Sequence, residues 1–481
     1  VYLNELSDKN KMNILNYKLY YFIGIGGIGM SALARFFNHY KKAVYGYDKT
    51  ETILTNQLTA EGIFCHFEEN EELLITTLSN FSKEEILIIY TPAVPIQHAE
   101  YHYASNNGYT ILKRSQVLGE ISKQFKTIAI AGTHGKTTTT TLVTHLLKSA
   151  GFNCFSFMGG ISKNYNTNLL LGNINDKNTY MVVEADEYDR SFLTLHPHIA
   201  LITSVDADHL DIYGDATNVK EGYSLFSKQV ADNGILIVKK SVDNDLKLTK
   251  KRLIYSLNLD TEYCAKSITL ENAQIIYDIK SPLENINAVT LGLQGLHNVE
   301  NSIAAVAIAQ QLGIKGDVIK NALRSFNGVK RRFDYRIKTD ELVFIDDYAH
   351  HPEELKAIIG SVKKLYPTKK IMGIFQPHLY SRTKDFADAF AESLDLLDEC
   401  ILLEIYAARE KPLQGVTSQI LLNKMKLINK KVLSKNNVLT FLKTNTPQVL
   451  LTMGAGDIDA LIEPIENILL SCRANSEHET I

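Results

Sequence analysis

The chain has 481 residues, 45% apolar and 22% charged, an ordinary balance for a soluble globular protein but too long for one core. At about 150 residues per domain it predicts about three domains. A formal charge of −3 supplies no global basic field for nucleic acid or anionic lipid, so any phosphate site is local. The five cysteines, Cys65, Cys154, Cys264, Cys400 and Cys472, are scattered and form no C-x-x-C pair, which argues against a disulfide framework and a structural zinc. The stretch Val1 to Lys18 is polar and has no apolar signal core, and no run approaches the roughly 18 apolar residues of a membrane span. The expectation is a cytoplasmic protein.

In chain order, Leu19 to Ile23 reads as a strand, followed by a G-x-G-x-x-G turn (Gly24, Gly26, Gly29) and a helix over Met30 to Tyr40. A strand Ala43 to Tyr47 ends on Asp48, and Ile86 to Tyr90 and Thr110 to Leu112 complete a first α/β domain over residues 1–120. A second block, residues 121–328, opens on the strand Thr127 to Ala131. It continues through strands Thr179 to Val183, His198 to Thr203 and Gly234 to Val238. Leu253 to Leu293 shows short alternating stretches, read as a small antiparallel appendage, and Asn298 to Leu312 is an amphipathic helix. Phe326 to Arg332 reads as a linker into a third block, residues 329–481. Its strands are Leu342 to Ile345, Lys370 to Phe375, Glu399 to Leu403 and Gln448 to Met453.

The richest motif is Gly132-Thr133-His134-Gly135-Lys136-Thr137-Thr138, a glycine turn between a strand and a helix. Backbone N–H groups and the positive end of the helix dipole face an anion there; Lys136 adds a point charge, and the Thr137 hydroxyl can sit on Mg²⁺. The loop is shorter than the usual G-x-x-x-x-G-K-[ST], because Ile130 stands where the first glycine belongs. It reads as an ATP or GTP site. Glu184 and Asp186 emerge at the end of a strand that should neighbour this one, where oxygen ligands suit Mg²⁺. His209, in Asp206-Ala207-Asp208-His209-Leu210-Asp211, joins them as a metal candidate on the strength of its company.

The first glycine turn, with Asp48 placed for a ribose hydroxyl, fits a dinucleotide fold and makes a nicotinamide-dependent dehydrogenase the rival reading. The same turn can hold any diphosphate, including that of a UDP-sugar. His297-Asn298, with Asn301 one turn on, could read a purine edge, although asparagine at a helix start is more often a cap. Asp346-Asp347-Tyr348-Ala349-His350-His351-Pro352 and Phe375-Gln376-Pro377-His378-Leu379-Tyr380-Ser381-Arg382 each follow a strand, at the end of the sheet where α/β ligands bind.

Taken together, G-I-G-G-I-G-M-S, G-T-H-G-K-T-T-T, E-A-D-E, D-H-L-D, H-N-V-E-N, R-R-F, D-D-Y-A-H-H-P and F-Q-P-H-L-Y-S-R-T resemble the Mur ligases of peptidoglycan synthesis over nearly the whole chain. The resemblance implies an α/β protein of three domains: an N-terminal Rossmann-like domain for the UDP-sugar, a central P-loop ATPase domain and a C-terminal Rossmann-like domain for the amino acid. It is strongest toward members that join L-alanine to UDP-N-acetylmuramate, with the tripeptide-recycling members as alternative.

The same resemblance implies the ligands of individual residues. Gly132 to Thr138 would hold ATP, with Lys136 on its β- and γ-phosphates. Thr137, Glu184 and His209 would hold Mg²⁺, and Lys136, Glu184 and His209 would form the catalytic set. Asn301 would contact adenine, Asp346 the ATP ribose and Arg332 phosphate. The sugar nucleotide would lie on Gly26, Gly27, Ile28, Gly29, Asp48, Asn168 and Arg331, and the amino acid among Tyr348, His350 and Arg382, whose fork suits a carboxylate. His209 and His350 are the candidates for accepting the amine proton.

Two positions depart from the family pattern: Tyr223 stands where several relatives carry a carbamylated lysine, and Leu379 where some carry arginine. The expected partners are UDP-N-acetylmuramate and L-alanine as substrates, without nucleic acid or membrane, in a monomer or weak homodimer.

Overall fold

The computed structural model describes residues 13–478, except 96, 207–209, 272–273 and 409. Three sheets follow one another along the chain. The first joins β1 (Leu19–Ile23), β2 (Ala43–Tyr47), β3 (Phe64–His66), β4 (Ile86–Tyr90) and β5 (Thr110–Lys113) in the order β3-β2-β1-β4-β5. All its pairings are parallel. Helices cover both faces, so β1 and β4 read as continuous apolar runs. The chain leaves β1 between β2 and β4, where the winding reverses, and that crevice receives the first glycine turn.

The second sheet holds β6 (Lys126–Ala131), β7 (Cys154–Ser162), β8 (Thr167–Leu170), β9 (Tyr180–Glu184), β10 (Ile199–Ile202), β11 (Ile235–Lys239), β12 (Arg252–Ser256), β13 (Tyr263–Glu271), β14 (Gln274–Lys280) and β15 (Ile286–Thr290). Their order is β15-β14-β13-β12-β11-β10-β6-β9-β7-β8. The strand that carries the phosphate loop, β6, therefore lies between β9 and β10, parallel to both, with Ile130 opposite Glu184 and Ala131 opposite Ile202. The stretch from Leu253 does not stand apart as an appendage, because its strands belong to the same sheet. β12 pairs parallel with β11 and with β13, so the sheet runs on into it. Alternation marks a half-exposed strand, but gives no direction to its pairing.

The third sheet contains β16 (Asp334–Lys338), β17 (Val343–Asp347), β18 (Ile371–Phe375), β19 (Glu399–Leu402), β20 (Lys430–Val432) and β21 (Val449–Met453), in the order β16-β17-β21-β18-β19-β20. Only β16 runs antiparallel, at one edge. The ends of β17, β21 and β18 lie side by side, where Gly454 N–H donates to the Asp347 carbonyl (3.2 Å) and Gln376 N–H to that of Met453 (3.0 Å).

By compactness the chain falls into two units. One holds the stretch up to Ser267 with Tyr277–Thr290 and Glu300–Phe326; the other holds Ile268–Ile276, Leu291–Val299 and the chain from Asn327. The first and second sheets share the first unit because the helix Ile28–His39 packs on both. Phe36 is fully buried and stands 5.5 Å, ring centre to ring centre, from both Phe155 and Phe157 of β7. These rings belong to one apolar core with Tyr20, Leu33 and Phe37. Among the described residues no helix is long and apolar enough to cross a membrane.

Candidate active site

The phosphate loop leaves β6 through two glycines in the left-handed region, Gly132 (φ 131°) and Gly135 (φ 82°). A side chain at Gly132 would overlap the Thr203 hydroxyl, and one at Gly135 would begin 2.6 Å from Asn301 Oδ1, so both space and backbone demand glycine. The loop is tied to the end of β10: Thr133 Oγ1 donates to the Asp206 carbonyl (3.0 Å) and His134 N–H to Ser204 Oγ (2.9 Å). Beyond Gly135 the 14-residue helix Lys136–Ser149 begins. Its first N–H groups and its dipole face the loop, which is the geometry that receives phosphate.

Lys136 Nζ folds back on this loop. It donates to the carbonyls of Gly132 (2.6 Å) and Thr133 (3.3 Å) and pairs with Glu187 at 2.8 Å. Burial alone would lower the Lys136 pKa, but the carboxylates of Glu187, Glu184 and Asp186 outweigh it and hold the ammonium above its usual value. Glu187 is itself buried, and burial raises its carboxyl against the opposing pull of Lys136. The next residue, Thr137, donates its hydroxyl to Glu184 Oε1 at 3.1 Å, and the other Glu184 oxygen accepts Gly159 N–H at 3.0 Å. A hydroxyl and a carboxylate are thus side by side at the phosphate loop, a donor pair that fits a hard cation such as Mg²⁺. His209 lies outside the described residues.

At the first glycine turn, Asp48 Oδ2 accepts Gly26 N–H at 2.7 Å, so the acid at the end of β2 pins the turn it was expected to accompany. Gly27 and Ile28 are exposed at its mouth. Asn168 of β8 is fully buried behind it. Its Nδ2 donates to the Ile28 carbonyl (2.6 Å) and Ser31 Oγ (3.3 Å), and its Oδ1 accepts from Arg35 Nη1 (2.8 Å).

In the second unit, Arg331 has a positive φ of 62° and donates Nε to Asp346 Oδ2 (3.2 Å) and Nη2 to the Gly454 carbonyl (2.6 Å). Asp346 is 1% exposed and also accepts the Thr452 hydroxyl at 2.7 Å. Burial raises its carboxyl, with Arg331 and Thr452 opposing. The Tyr348 ring takes the guanidinium carbons of Arg331 and Arg332 at 5.2 and 4.9 Å. His350 Nδ1 lies 3.0 Å from the Tyr348 carbonyl, and its ring stands 5.9 Å from that of His378. Arg382 is buried in the short helix Tyr380–Asp385, which starts beyond Leu379, a buried residue in the left-handed region (φ 68°). Tyr348, His350, His378 and Arg382 all follow the ends of β17 and β18.

Sequence comparison covers nearly the whole chain. Residues 19–126 match the description "Mur ligase family, catalytic domain", 130–309 "Mur ligase middle domain" and 331–456 "Mur ligase, glutamate ligase domain". The chain belongs to the Mur ligase family. Among curated relatives, UDP-N-acetylmuramate–L-alanine ligase of Flavobacterium johnsoniae is 46% identical over 95% of this chain and 99% of its own. The protein of that name from Cytophaga hutchinsonii is 45% identical over 95% and 97%. Among solved structures, UDP-N-acetylmuramate-alanine ligase MurC from Thermotoga maritima superposes with a TM-score of 0.77 at 26% identity, over 95% of this chain and 99% of its own. A murein peptide ligase from Psychrobacter arcticus shares the fold, with a TM-score of 0.67 at 22% identity over 95% and 98%.

Membership of the Mur ligases sets aside the dehydrogenase reading and gives the shortened glycine loop its family context. At the position where several Mur ligases carry the modified lysine, Tyr223 is fully buried with its ring 5.2 Å from Phe192. The nearby Lys220 points to Asp245 at 3.4 Å on the surface. Three features escaped sequence reasoning. Glu187 is the last letter of E-A-D-E and was legible as an acid but not as the partner of Lys136. Gly454 and Gly456 follow β21 in a G-x-G pattern, and a side chain at Gly456 would meet Gln376 Oε1 at 2.5 Å. Arg114 sits in no motif at all, yet its guanidinium reaches the first glycine turn.

Proposed function

We infer that the chain is an ATP-dependent ligase that joins L-alanine to the lactyl carboxylate of UDP-N-acetylmuramate, releasing ADP and phosphate, in peptidoglycan precursor synthesis. The observation that carries this reading is the near end-to-end identity, 46% over 95% of the chain, with an enzyme of that activity. The domain limits we propose are residues 1–120 for the UDP-sugar, 121–328 for ATP and 329–481 for the amino acid.

A carboxylate is a poor acyl donor because its negative charge repels an amine and oxide is a poor leaving group. The carboxylate oxygen attacks the γ-phosphorus of ATP; an acyl phosphate forms and ADP leaves. The alanine nitrogen, as free amine, then attacks the acyl carbon, and the tetrahedral intermediate expels phosphate. Lys136 has the charge and position to neutralise the transferred phosphoryl group, once it exchanges Glu187 and the loop carbonyls for phosphate oxygens. Thr137 and Glu184 are the residues that would hold Mg²⁺, with His209 a further candidate; the metal, when bound, supplies charge neutralisation on the phosphates. The loop N–H groups orient the phosphate chain. Asn301, beside Gly135, is the proposed adenine contact, and Asp346 and Arg332 the proposed ribose and phosphate contacts. Besides that role, Asp346 holds Arg331 through its Oδ2 and accepts the Thr452 hydroxyl through its Oδ1. Tyr348, His350 and Arg382 are the proposed alanine site, and Arg382 supplies the carboxylate fork. The proposed setting is the cytoplasm.

Phosphate release from ATP and Mg²⁺ with UDP-N-acetylmuramate tests this, adding L-alanine or the tripeptide in separate arms with mass detection of product. Release that requires L-alanine is expected. Release only with tripeptide transfers the chain to the recycling branch, and release with neither removes the assignment of substrate.

A further inference from the structure

Arg114 opens the helix Arg114–Ser122 directly after β5 and turns back over the first glycine turn. A Cβ placed on Gly29 would stand 2.5 Å from Arg114 Nη1 and 3.2 Å from Cζ, so the last glycine of G-x-G-x-x-G is what admits the guanidinium. On its far side Nη2 donates to Asp186 Oδ2 at 3.2 Å, two residues beyond Glu184. Neighbouring Lys113 pairs with Asp189 at 2.9 Å, so two cations at the end of β5 face two carboxylates after β9. The arginine thus spans the gap between the turn suited to the sugar nucleotide's diphosphate and the acids beside the phosphate loop.

The pairing with Asp186 is easily exchanged. The side chains are 24% and 40% exposed, and an ion pair so open to water contributes little because solvent screens it. A guanidinium has five N–H donors in a planar fork that fits phosphate and carboxylate two bonds at a time. One contact to one oxygen of Asp186 leaves most of that fork unused.

We propose that Arg114 exchanges Asp186 for an anionic group of the sugar nucleotide, its diphosphate or its lactyl carboxylate, and so fixes the reacting carboxylate in the gap beside the phosphate loop. This rests on the functional reading above. Gly29 then has a second role besides the turn: it makes room for the cation that the anion meets.

The experiment is equilibrium binding to the full chain of UDP-N-acetylmuramate, UDP-N-acetylglucosamine (which lacks the lactyl group) and ATP, for wild type, Arg114→Ala and Arg114→Lys. Loss of a charge-assisted contact predicts that Arg114→Ala weakens UDP-N-acetylmuramate by about tenfold to a hundredfold. Arg114→Lys, which keeps the charge without the fork, should recover part of it, and ATP affinity should not move. A parallel loss for UDP-N-acetylglucosamine assigns Arg114 to the diphosphate; a loss confined to the muramate assigns it to the carboxylate. Unchanged affinity for both sugar nucleotides in Arg114→Ala overturns the proposal, as does an equal loss for ATP. Should Arg114→Ala fail to fold, Arg114→Lys with wild-type affinity for both does the same. Wild type that binds ATP but not UDP-N-acetylmuramate overturns the functional reading along with it.

Discussion

Glu187 decides what Lys136 does before nucleotide arrives. Removing one partner of a buried ion pair costs about 3–5 kcal/mol, because the remaining charge is left without compensation. Glu187→Gln is therefore expected to melt several degrees below wild type, and saturating ATP should recover more of its melting temperature than it adds to wild type, since phosphate replaces the lost carboxylate. Equal ATP-induced shifts in the two proteins, read by thermal denaturation, would sink the idea. A second pair of groups, the buried Asp347 and the partly buried His297, sets opposing pH responses around Arg332. Burial raises the Asp347 carboxyl to about 6, against Arg332 and the N–H groups of Phe333 and Ala349. Burial and Arg332 lower His297 to about 4. As pH falls through 6, native Asp347 takes up its proton before the unfolded chain does, which adds stability; His297 in the native state refuses its proton while the unfolded chain accepts one, which removes it. Urea unfolding from pH 7 to 4 should show His297→Gln gaining on wild type and Asp347→Asn losing ground. At this scale the sequence made Lys136, Thr137 and Glu184 legible because their chemistry fixes their spacing. It hid Arg114 because an arginine after a strand has no spacing rule; only the closeness of Gly29, 85 residues earlier, gives it meaning.

Among the elements, strands with unbroken apolar runs were legible to the residue: β1, β2 and β4 fall where periodicity puts them. The short β3 and β20, three residues each, carry too few positions for a period. β16 is a polar edge strand hidden behind what reads as a linker. β7 was missed for another reason. Its Gly159-Gly160 pair looks like a turn, but Gly159 is extended and needed because a Cβ there would overlap the Glu184 carboxylate. Gly159→Ala is predicted to fold, since only the end of a flexible side chain must move. Displacing Glu184 from Thr137 should nevertheless raise the Mg²⁺ concentration for half-maximal phosphate release by about tenfold, as loss of an outer support does at metal sites. A variant with an unchanged Mg²⁺ titration would show that Glu184 does not depend on this strand.

For the whole molecule, composition and block structure predict three domains, and three sheets are present, but the first two share a core. Phe36→Ala should cost about 3–5 kcal/mol, the usual penalty for emptying an aromatic core site. Because its neighbours come from both sheets, probes in each should lose stability together; hydrogen exchange that loosens the first sheet and leaves β7 and β8 protected would contradict this. That sharing was not legible because Phe36, Phe155 and Phe157 are each ordinary apolar positions of their own element, and no local pattern says which foreign face they meet.

Asn168 carries the point further. A residue of the central block holds the Ile28 carbonyl and the side chains of Ser31 and Arg35 in the first, so the two must be inherited together. A recombination crossover near residue 120 that imported a foreign first domain would look tidy in an alignment, yet it would strand a buried amide and leave two phenylalanines facing an unfamiliar surface. Lineages of this enzyme should therefore exchange the first two blocks as a single cassette or not at all.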